Sequence, residues 1–196
     1  METTLCLIRH GETDWNREGR AQGLEDIPLN DTGRDQARRL AARLAGQPWT
    51  ALYSSPLSRA LETARIVGAA TGLVPQVEPL LVERNMGAIS GLTYAEREAR
   101  FPGLPLDAIP GVEPLEELTW RALAAVDRIA RRHPGGRVLV VGHGGIFGAL
   151  ALHLGGEAVR LPNTSLTWLA GAPGRWRLGT VGDARHLEDP VDGSGG

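Results

Sequence analysis

The chain has 196 residues, of which 42% are hydrophobic and 22% charged, and its 21 basic and 23 acidic residues give a formal net charge of −2. This composition indicates one globular domain and excludes a fibrous repeat or a wholly disordered chain. A protein that binds nucleic acid is usually basic, so no nucleic-acid partner is expected for this chain. All the basic residues are arginine, which excludes Schiff-base chemistry and a phosphate-binding P-loop, since both need a lysine.

Cysteine content and hydropathy narrow the class further. Cys6 is the single cysteine, so an intrachain disulfide and a cysteine-based zinc site are excluded. No basic region followed by a long apolar run opens the chain, and no stretch reaches the roughly 18 apolar residues of a membrane span. The expectation is a soluble, cytoplasmic protein with no membrane partner, and a homodimer is left open.

The first half of the chain alternates strands and helices. The pattern predicts a buried strand over residues 3–8, a helix over 32–45, a strand over 50–54, a second helix directly after it, and a third strand within 76–82. For that second helix, Ser55 is the expected N-cap, Pro56 the first helical residue and Gly72 the end.

The second half continues the alternation after an irregular stretch. A short helix is expected over 93–100, a proline-rich loop over 101–114, a helix over 115–132, a strand over 137–142, an apolar helix after it, and two closing strands within 164–181. We predict a single domain over 1–182 in which 84–114 is a lid or insertion. Residues 183–196 are expected to form a flexible tail.

Alternating strands and helices predict a three-layer α/β/α fold with a mostly parallel central sheet. In such sheets, ligands bind at the carboxyl ends of the strands. The first strand ends in Arg9 and His10, the second leads into Arg59, and the strand at 137–142 ends at His143. If these strands are neighbours, two imidazoles and two guanidiniums share one pocket, which would suit a dianion.

Such a pocket matches the needs of phosphoryl transfer, which depends mainly on positioning and on electrostatic stabilisation. A histidine can attack phosphorus when it is neutral, and a backbone carbonyl near Gly11 is expected to hold its other nitrogen as a donor. Glu83 is the expected proton donor for the leaving group. Glu12 and Asp14 are nearer in sequence to His10, but they are more simply explained as supports.

Five segments of the sequence together resemble a known family. They are LIRHGETDWN (7–16), which contains the RHG motif, GRAQGLEDIPLNDTGRDQA (19–37), SSPLSRALETA (54–64), LVERNMGAISGLT (81–93) and VVGHGG (140–145). In this order and spacing they resemble the histidine phosphatase superfamily, the phosphoglycerate mutase-like group, over most of residues 4–170. Singly, each segment is a weak signal.

The resemblance implies specific roles for matching residues. His10 would be the phosphorylated nucleophile, Arg9, Arg59 and His143 would hold the phosphoryl oxygens with help from Asn16, and Glu83 would act as general acid and then as general base. Contacts to the rest of the substrate would come from Gln22, Gly23 and Arg84. Apart from the resemblance, the glycines around His143, among them Gly144, suggest a backbone that closely approaches a ligand. No metal and no cofactor is implied. Ser90 departs from the family, where an acid is common.

The leading hypothesis is a metal-independent phosphatase of the histidine acid phosphatase type, a hydrolase acting on a small phosphorylated metabolite. A cofactor-dependent phosphoglycerate mutase, an isomerase, is second, because the span from Glu83 to His143 is short for a mutase and Gln22 is more like the phosphatases. A catalytically inactive module that binds a phosphorylated ligand is third. Two further readings stay open: a metal site that includes Glu12 or Asp14, and a structural ion pair of Glu83 with Arg84 or Arg59.

Overall fold

A six-stranded sheet forms the centre of the computed structural model, which describes residues 1–188. Its strands are Thr3–Arg9 (β1), Ala51–Ser54 (β2), Gln76–Val77 (β3), Arg137–Gly142 (β4), Leu166–Ala172 (β5) and Arg175–Leu178 (β6). They lie in the order β3-β2-β4-β1-β5-β6. The first four strands pair in parallel, and β5 runs antiparallel to both of its neighbours. The prediction of a mostly parallel sheet is confirmed.

Helices cover both faces of this sheet. They are Asp14–Arg17 (α1), Asp31–Leu44 (α2), Ser58–Thr71 (α3), Tyr94–Arg100 (α4), Leu115–Arg132 (α5) and Gly144–His153 (α6), with short 3-10 helices at Pro79–Leu81, Gly87–Ile89, Leu106–Ala108 and Arg185–Leu187. On one face, α2 and α3 bury a core against Ile8 and Val141. On the other, α5 and α6 bury a core against Leu7 and Val140. Two cores around one sheet make the predicted three layers.

Helix α5 shows why the sequence pattern located some elements well. Its buried residues recur at helical spacing, so one stripe faces the sheet. Glu116 and Glu117 lie in its first turn and Arg131 and Arg132 in its last, where these charges complement the helix dipole. The observed bounds of α5 and of β4 are those predicted.

The start of α3 differs from the prediction. The helix begins at Ser58, and Leu57 occupies the N-cap without a side-chain hydrogen bond. Instead, the backbone N–H of Ser58 donates to Oδ1 of Asp26 at 2.7 Å. Ser55 is therefore not the N-cap: it follows β2 directly and lies two residues before Leu57, the extended residue that takes that position. The third strand is also shorter than expected, since a 3-10 helix replaces it from Pro79 onward.

Residues 183–188 are held against the body of the fold, unlike the flexible tail that was expected. Asp183 and Leu166 exchange two backbone hydrogen bonds of 2.9 Å. The Asp183 carboxylate binds Arg185 at 2.8 Å and Arg43 at 2.5 Å. Hydrogen bonds from these two guanidiniums hold the pKa of the carboxyl far below its usual range. The rest of the predicted tail, 189–196, lies outside the described residues.

The prediction of a protein without membrane spans can be compared with the helices themselves. Within residues 1–188, no helix combines the length and the apolar character that crossing a bilayer requires.

Candidate active site

A cavity of about 510 Å³ opens at the carboxyl end of the sheet. In the sheet β4 lies between β1 and β2, so the ends of these three strands are adjacent. Eight of the predicted site residues line the cavity: Arg9, His10, Asn16, Gln22, Gly23, Arg59, Glu83 and Gly144. His143 contacts this group from a fully buried position, and Arg84 does not reach it. The convergence expected from the strand ends is present.

His10 is buried and held in one orientation. Its Nδ1 lies 2.7 Å from the carbonyl oxygen of Gly11, so in the neutral ring Nδ1–H donates and Nε2 keeps its lone pair. Burial lowers the pKa of His10 well below 6.5, the charges of Arg9 and Arg59 lower it further, and the Gly11 carbonyl opposes this shift. The ring is therefore neutral at pH 7, the form that can attack phosphorus.

Arg59 and Arg9 supply buried positive charge. Arg59 is fully buried and donates to the carbonyl oxygens of Glu25 at 2.7 Å and Gly23 at 2.8 Å, and Arg9 donates to that of Leu161 at 2.5 Å. Within residues 1–188 the Nε of each lacks an acceptor. Burial lowers the pKa of Arg9 to about 10, with Glu83 opposing, and both side chains stay charged at pH 7. Charged donors held in this way favour an anionic ligand.

His143 and Ser55 form the inner side of the site. The His143 ring centroid lies 5.2 Å from that of His10 in an edge-to-face arrangement. Its Nε2 lies 2.8 Å from Oγ of Ser55, and its Nδ1 has no partner in the described part of the chain. Burial lowers the pKa of His143 well below 6.5, and the positive charges of Arg59 and Arg9 lower it further. The sequence assigned Ser55 a capping role, although its place at a strand end was a signal for the site.

The side-chain carboxyl of Glu83 lies at the N-terminus of α6. Its Oε2 accepts the backbone N–H of Gly145 at 2.9 Å, and its Oε1 accepts those of Ile146 at 3.0 Å and Arg84 at 2.7 Å. The ion-pair alternative is wrong, because Arg84 pairs with Asp107 and Arg59 donates to backbone carbonyls. Backbone donors thus place this carboxyl in the cavity wall.

Gly145 permits this placement, and it offers a test. A Cβ at Gly145 would lie 2.5 Å from Oε1 of Glu83, whereas a Cβ at Gly148 in the same helix has open space around it. We expect Gly145→Ala to displace Glu83 and to reduce kcat for phosphate-ester hydrolysis by about 10²-fold. Gly148→Ala is the matched control and should keep parental kcat, with a gain in stability of up to about 1 kcal/mol. Parental kcat in Gly145→Ala would contradict the assigned position.

Arg121 holds the backbone that carries Glu83. It donates to the carbonyl oxygens of Leu80 and Val82 at 2.7 Å each and to that of Glu83 at 3.3 Å, and it pairs with Glu113 at 2.8 Å. Arg121 was not among the predicted site residues. No sequence signal separates it from the solvent-facing arginines of α5, because the carbonyl groups that it binds lie 38 to 41 positions away.

The structure brings together only some of the residues that were expected to contact the rest of the substrate. Oδ1 of Asn16 accepts hydrogen bonds from Thr13 N at 3.2 Å and from Nδ2 of Asn163 at 3.1 Å, so its own Nδ2 is the end available to a ligand. Gly23 has φ of +55°, which favours glycine. Arg84 is a correction: its Nε donates to the Glu113 carbonyl at 2.7 Å, and it joins the two ends of the 84–114 segment instead of lining the cavity.

The 84–114 segment forms one wall of the cavity. Its cavity-lining residues are Met86, Ile89, Leu92, Thr93, Tyr94 and Arg97. The segment has its own small core around Ile89, Ile109 and Val112. Three arginines, Arg20, Arg97 and Arg160, lie on the same cavity lining. The assignment of this segment as a lid or insertion stays a prediction.

The two acids near His10 have other partners. Glu12 accepts Nδ2 of Asn30 at 2.9 Å, and Asp14 pairs with Arg17 at 2.8 Å. Over residues 1–188, the structure has no group of three or more histidine, cysteine or acidic side chains placed to hold a metal ion. Both acids thus bind neighbouring side chains, and their role as supports stays a prediction.

The fold and the cavity define a class: an α/β protein that places paired histidines and arginines at the carboxyl ends of a parallel sheet. The model of the histidine phosphatase superfamily (branch 1) matches residues 5–184. The chain therefore belongs to that superfamily, which confirms the resemblance carried by its five sequence segments.

Individual relatives agree with this assignment. The chain is 37% identical to the uncharacterized phosphatase PhoE of Bacillus subtilis, over 94% of this chain and 97% of that protein. It is 35% identical to a metal-independent phosphoserine phosphatase of Arabidopsis thaliana, over 94% and 83%. The solved structure of Bacillus stearothermophilus YhfR superposes with a TM-score of 0.86 at 34% identity, covering 95% of this chain and 100% of that one. Family and relatives support a phosphatase of the histidine phosphatase family, with the substrate left open.

Proposed function

We propose that the protein is a metal-independent phosphomonoesterase that hydrolyses a small phosphorylated metabolite through a phosphohistidine intermediate. The observation that carries this proposal is the state of His10: a buried, neutral imidazole whose Nδ1 is held by the Gly11 carbonyl. It lines the same cavity as Arg9 and Arg59. A nucleophile next to two fixed cations is suited to a phosphate ester.

In the first step, Nε2 of His10 attacks phosphorus while the bond from phosphorus to the ester oxygen breaks. The carboxyl of Glu83 gives its proton to the leaving oxygen, so the alcohol departs neutral. Arg9, Arg59 and His143 donate to the phosphoryl oxygens, on which negative charge is spread.

In the second step, a water molecule attacks the phosphohistidine. The new bond forms between the water oxygen and phosphorus, the bond to Nε2 breaks, and Glu83 accepts the proton of the water. Inorganic phosphate leaves, and His10 returns to its neutral state. The same carboxyl thus acts first as acid and then as base, and both steps use the same arginines.

The shape of the cavity supports a small substrate. A volume of about 510 Å³ admits a metabolite, and Met86, Ile89 and Leu92 give its outer wall an apolar surface. Two of the relatives are named as phosphatases, which supports hydrolysis. Relatives of similar identity are named as phosphoglycerate mutase-like or as probable phosphoglycerate mutases, so the mutase is kept as the second candidate.

An assay with excess chelator tests this function. The purified chain is incubated with 4-nitrophenyl phosphate and with a panel of phosphorylated acids, sugars and nucleosides, and free phosphate is measured from pH 5 to 8. We expect turnover that the chelator does not reduce. Isomerised phosphoglycerate without free phosphate would instead indicate the mutase, and absence of any product would indicate a binding module.

A further inference from the structure

The turn before β5 touches the nucleophile from behind the cavity. Nδ2 of Asn163 donates to the carbonyl oxygen of His10 at 3.0 Å and to Oδ1 of Asn16 at 3.1 Å. One amide group therefore joins the backbone of His10 to a residue of the cavity lining. These contacts join residues 153 and 147 positions apart in the sequence, so no local sequence pattern predicts them.

The next residue holds the same backbone. The N–H of Thr164 donates to the carbonyl oxygen of Arg9 at 2.9 Å and approaches that of His10 at 3.3 Å. Thr164 is fully buried and has φ of +57°, the one positive φ of a residue other than glycine in the described chain. A β-branched residue pays a conformational cost there, and such strained residues cluster at functional sites.

A chain of hydrogen bonds fixes this strained turn from the C-terminal side. Arg43 can only donate, so its contact of 3.4 Å makes Nδ1 of His186 an acceptor and leaves Nε2–H as a donor. Nε2 of His186 lies 2.9 Å from Oγ1 of Thr164, and that hydroxyl donates to the carbonyl oxygen of Asn163 at 2.8 Å. Every donor in this chain meets an acceptor, and the chain ends at Asn163.

The geometry points to Asn163 as a positioning residue for His10, with Thr164 and His186 holding its backbone in place. This inference rests on the proposed function, in which His10 is the nucleophile. The carbonyl groups of Arg9 and His10 flank the residue whose ring must meet phosphorus in line. A displacement of a reacting group by about 1 Å can reduce a rate about 10²-fold. The two donors on these carbonyls therefore control the rate at which His10 attacks phosphorus.

Two variants of Asn163 test the role. Asn163→Ala removes the amide, and Asn163→Asp keeps its shape but cannot donate to the His10 carbonyl. Both are expected to lower kcat for 4-nitrophenyl phosphate by about 10²-fold, with the rate of phosphohistidine formation in a single turnover lowered equally and KM changed less than kcat. Thr71→Ala is the control, since Oγ1 of Thr71 also donates to a backbone carbonyl, that of Val67 at 3.0 Å, in the last turn of α3 and away from the cavity. It should keep parental kcat.

A measurement that does not depend on turnover separates this inference from the proposed function. In nitrogen-15 NMR spectra, the Nδ1–H proton of His10 is expected to exchange with water faster in both Asn163 variants than in the parent and in Thr71→Ala. Parental kcat and parental exchange in the Asn163 variants would overturn the positioning role, as would a loss of kcat that matches the loss in Thr71→Ala. Failure of the parent chain to hydrolyse any ester would overturn the proposed function alone, because the exchange measurement still tests Asn163.

Discussion

Replacing His10 by alanine is expected to reduce phosphate release by at least about 10⁴-fold, the largest effect of any single substitution in this chain. The alanine variant has no Nε2 to form the bond to phosphorus, and no other side chain in the cavity can replace it. The ring of His143 is neutral as well, but its Nε2 is engaged with Ser55 at 2.8 Å. The measurement is kcat with 4-nitrophenyl phosphate.

Trapping the intermediate makes this test specific. A reaction with a radiolabelled phosphate ester is quenched rapidly. The parent protein should then carry a phosphoryl group that acid releases and alkali does not, and His10→Ala should carry none. His153→Ala is the control, since His153 contacts Trp120 at the end of α6 and does not line the cavity. A label retained on His143 in the alanine variant would reassign the nucleophile.

Glu83→Gln is expected to lower kcat by about 10²- to 10⁴-fold, the second largest effect. The amide can neither give a proton to the leaving oxygen nor take one from water. It also presents a donor to backbone N–H groups that now donate to the carboxylate, so a loss of about 1–3 kcal/mol in the free energy of unfolding is expected. Urea unfolding measures that loss independently of kcat.

The choice of ester identifies the acid role of Glu83. An alkyl phosphate needs a proton on its leaving oxygen, whereas 4-nitrophenolate carries its own charge well. In Glu83→Gln, the rate of phosphohistidine formation should therefore fall more for the alkyl ester than for 4-nitrophenyl phosphate. Glu117→Gln, an exposed change on α5, is the matched control and should leave both rates unchanged. An equal fall for the two esters in Glu83→Gln would contradict proton donation by this residue.

Much of the site could be located before the fold was known. His10, Arg59 and His143 each follow a buried strand, and parallel strands bring their carboxyl ends to one edge. Glu83 was harder to place, because its position depends on backbone donors at Gly145 and Ile146 and on a space that only a glycine leaves. Arg84 was misplaced, since its neighbour in sequence points into the cavity and its own side chain binds Asp107.

Ser55 shows how a local rule fails at a functional site. Serine followed by proline is a common start of a helix, and the rule predicted a cap there. In the structure, the hydroxyl of Ser55 instead meets His143, which lies 88 positions later in the chain. The helix starts three residues after Ser55. Asp26 accepts the N–H of Ser58, the first helical residue, whereas Oγ of Ser55 accepts that of Leu57 at 3.3 Å.

The sequence by itself determined the alternation of strands and helices and the residues at the strand ends. Both depend on periodicity and on turn chemistry, which act over a few neighbouring residues. Only the tertiary structure decided the partners of those residues: Ser55 for His143, Arg121 for the backbone of Glu83, and Asn163 for that of His10. These contacts join positions 38 to 153 apart, so they exist only after packing of the two cores has brought distant segments together.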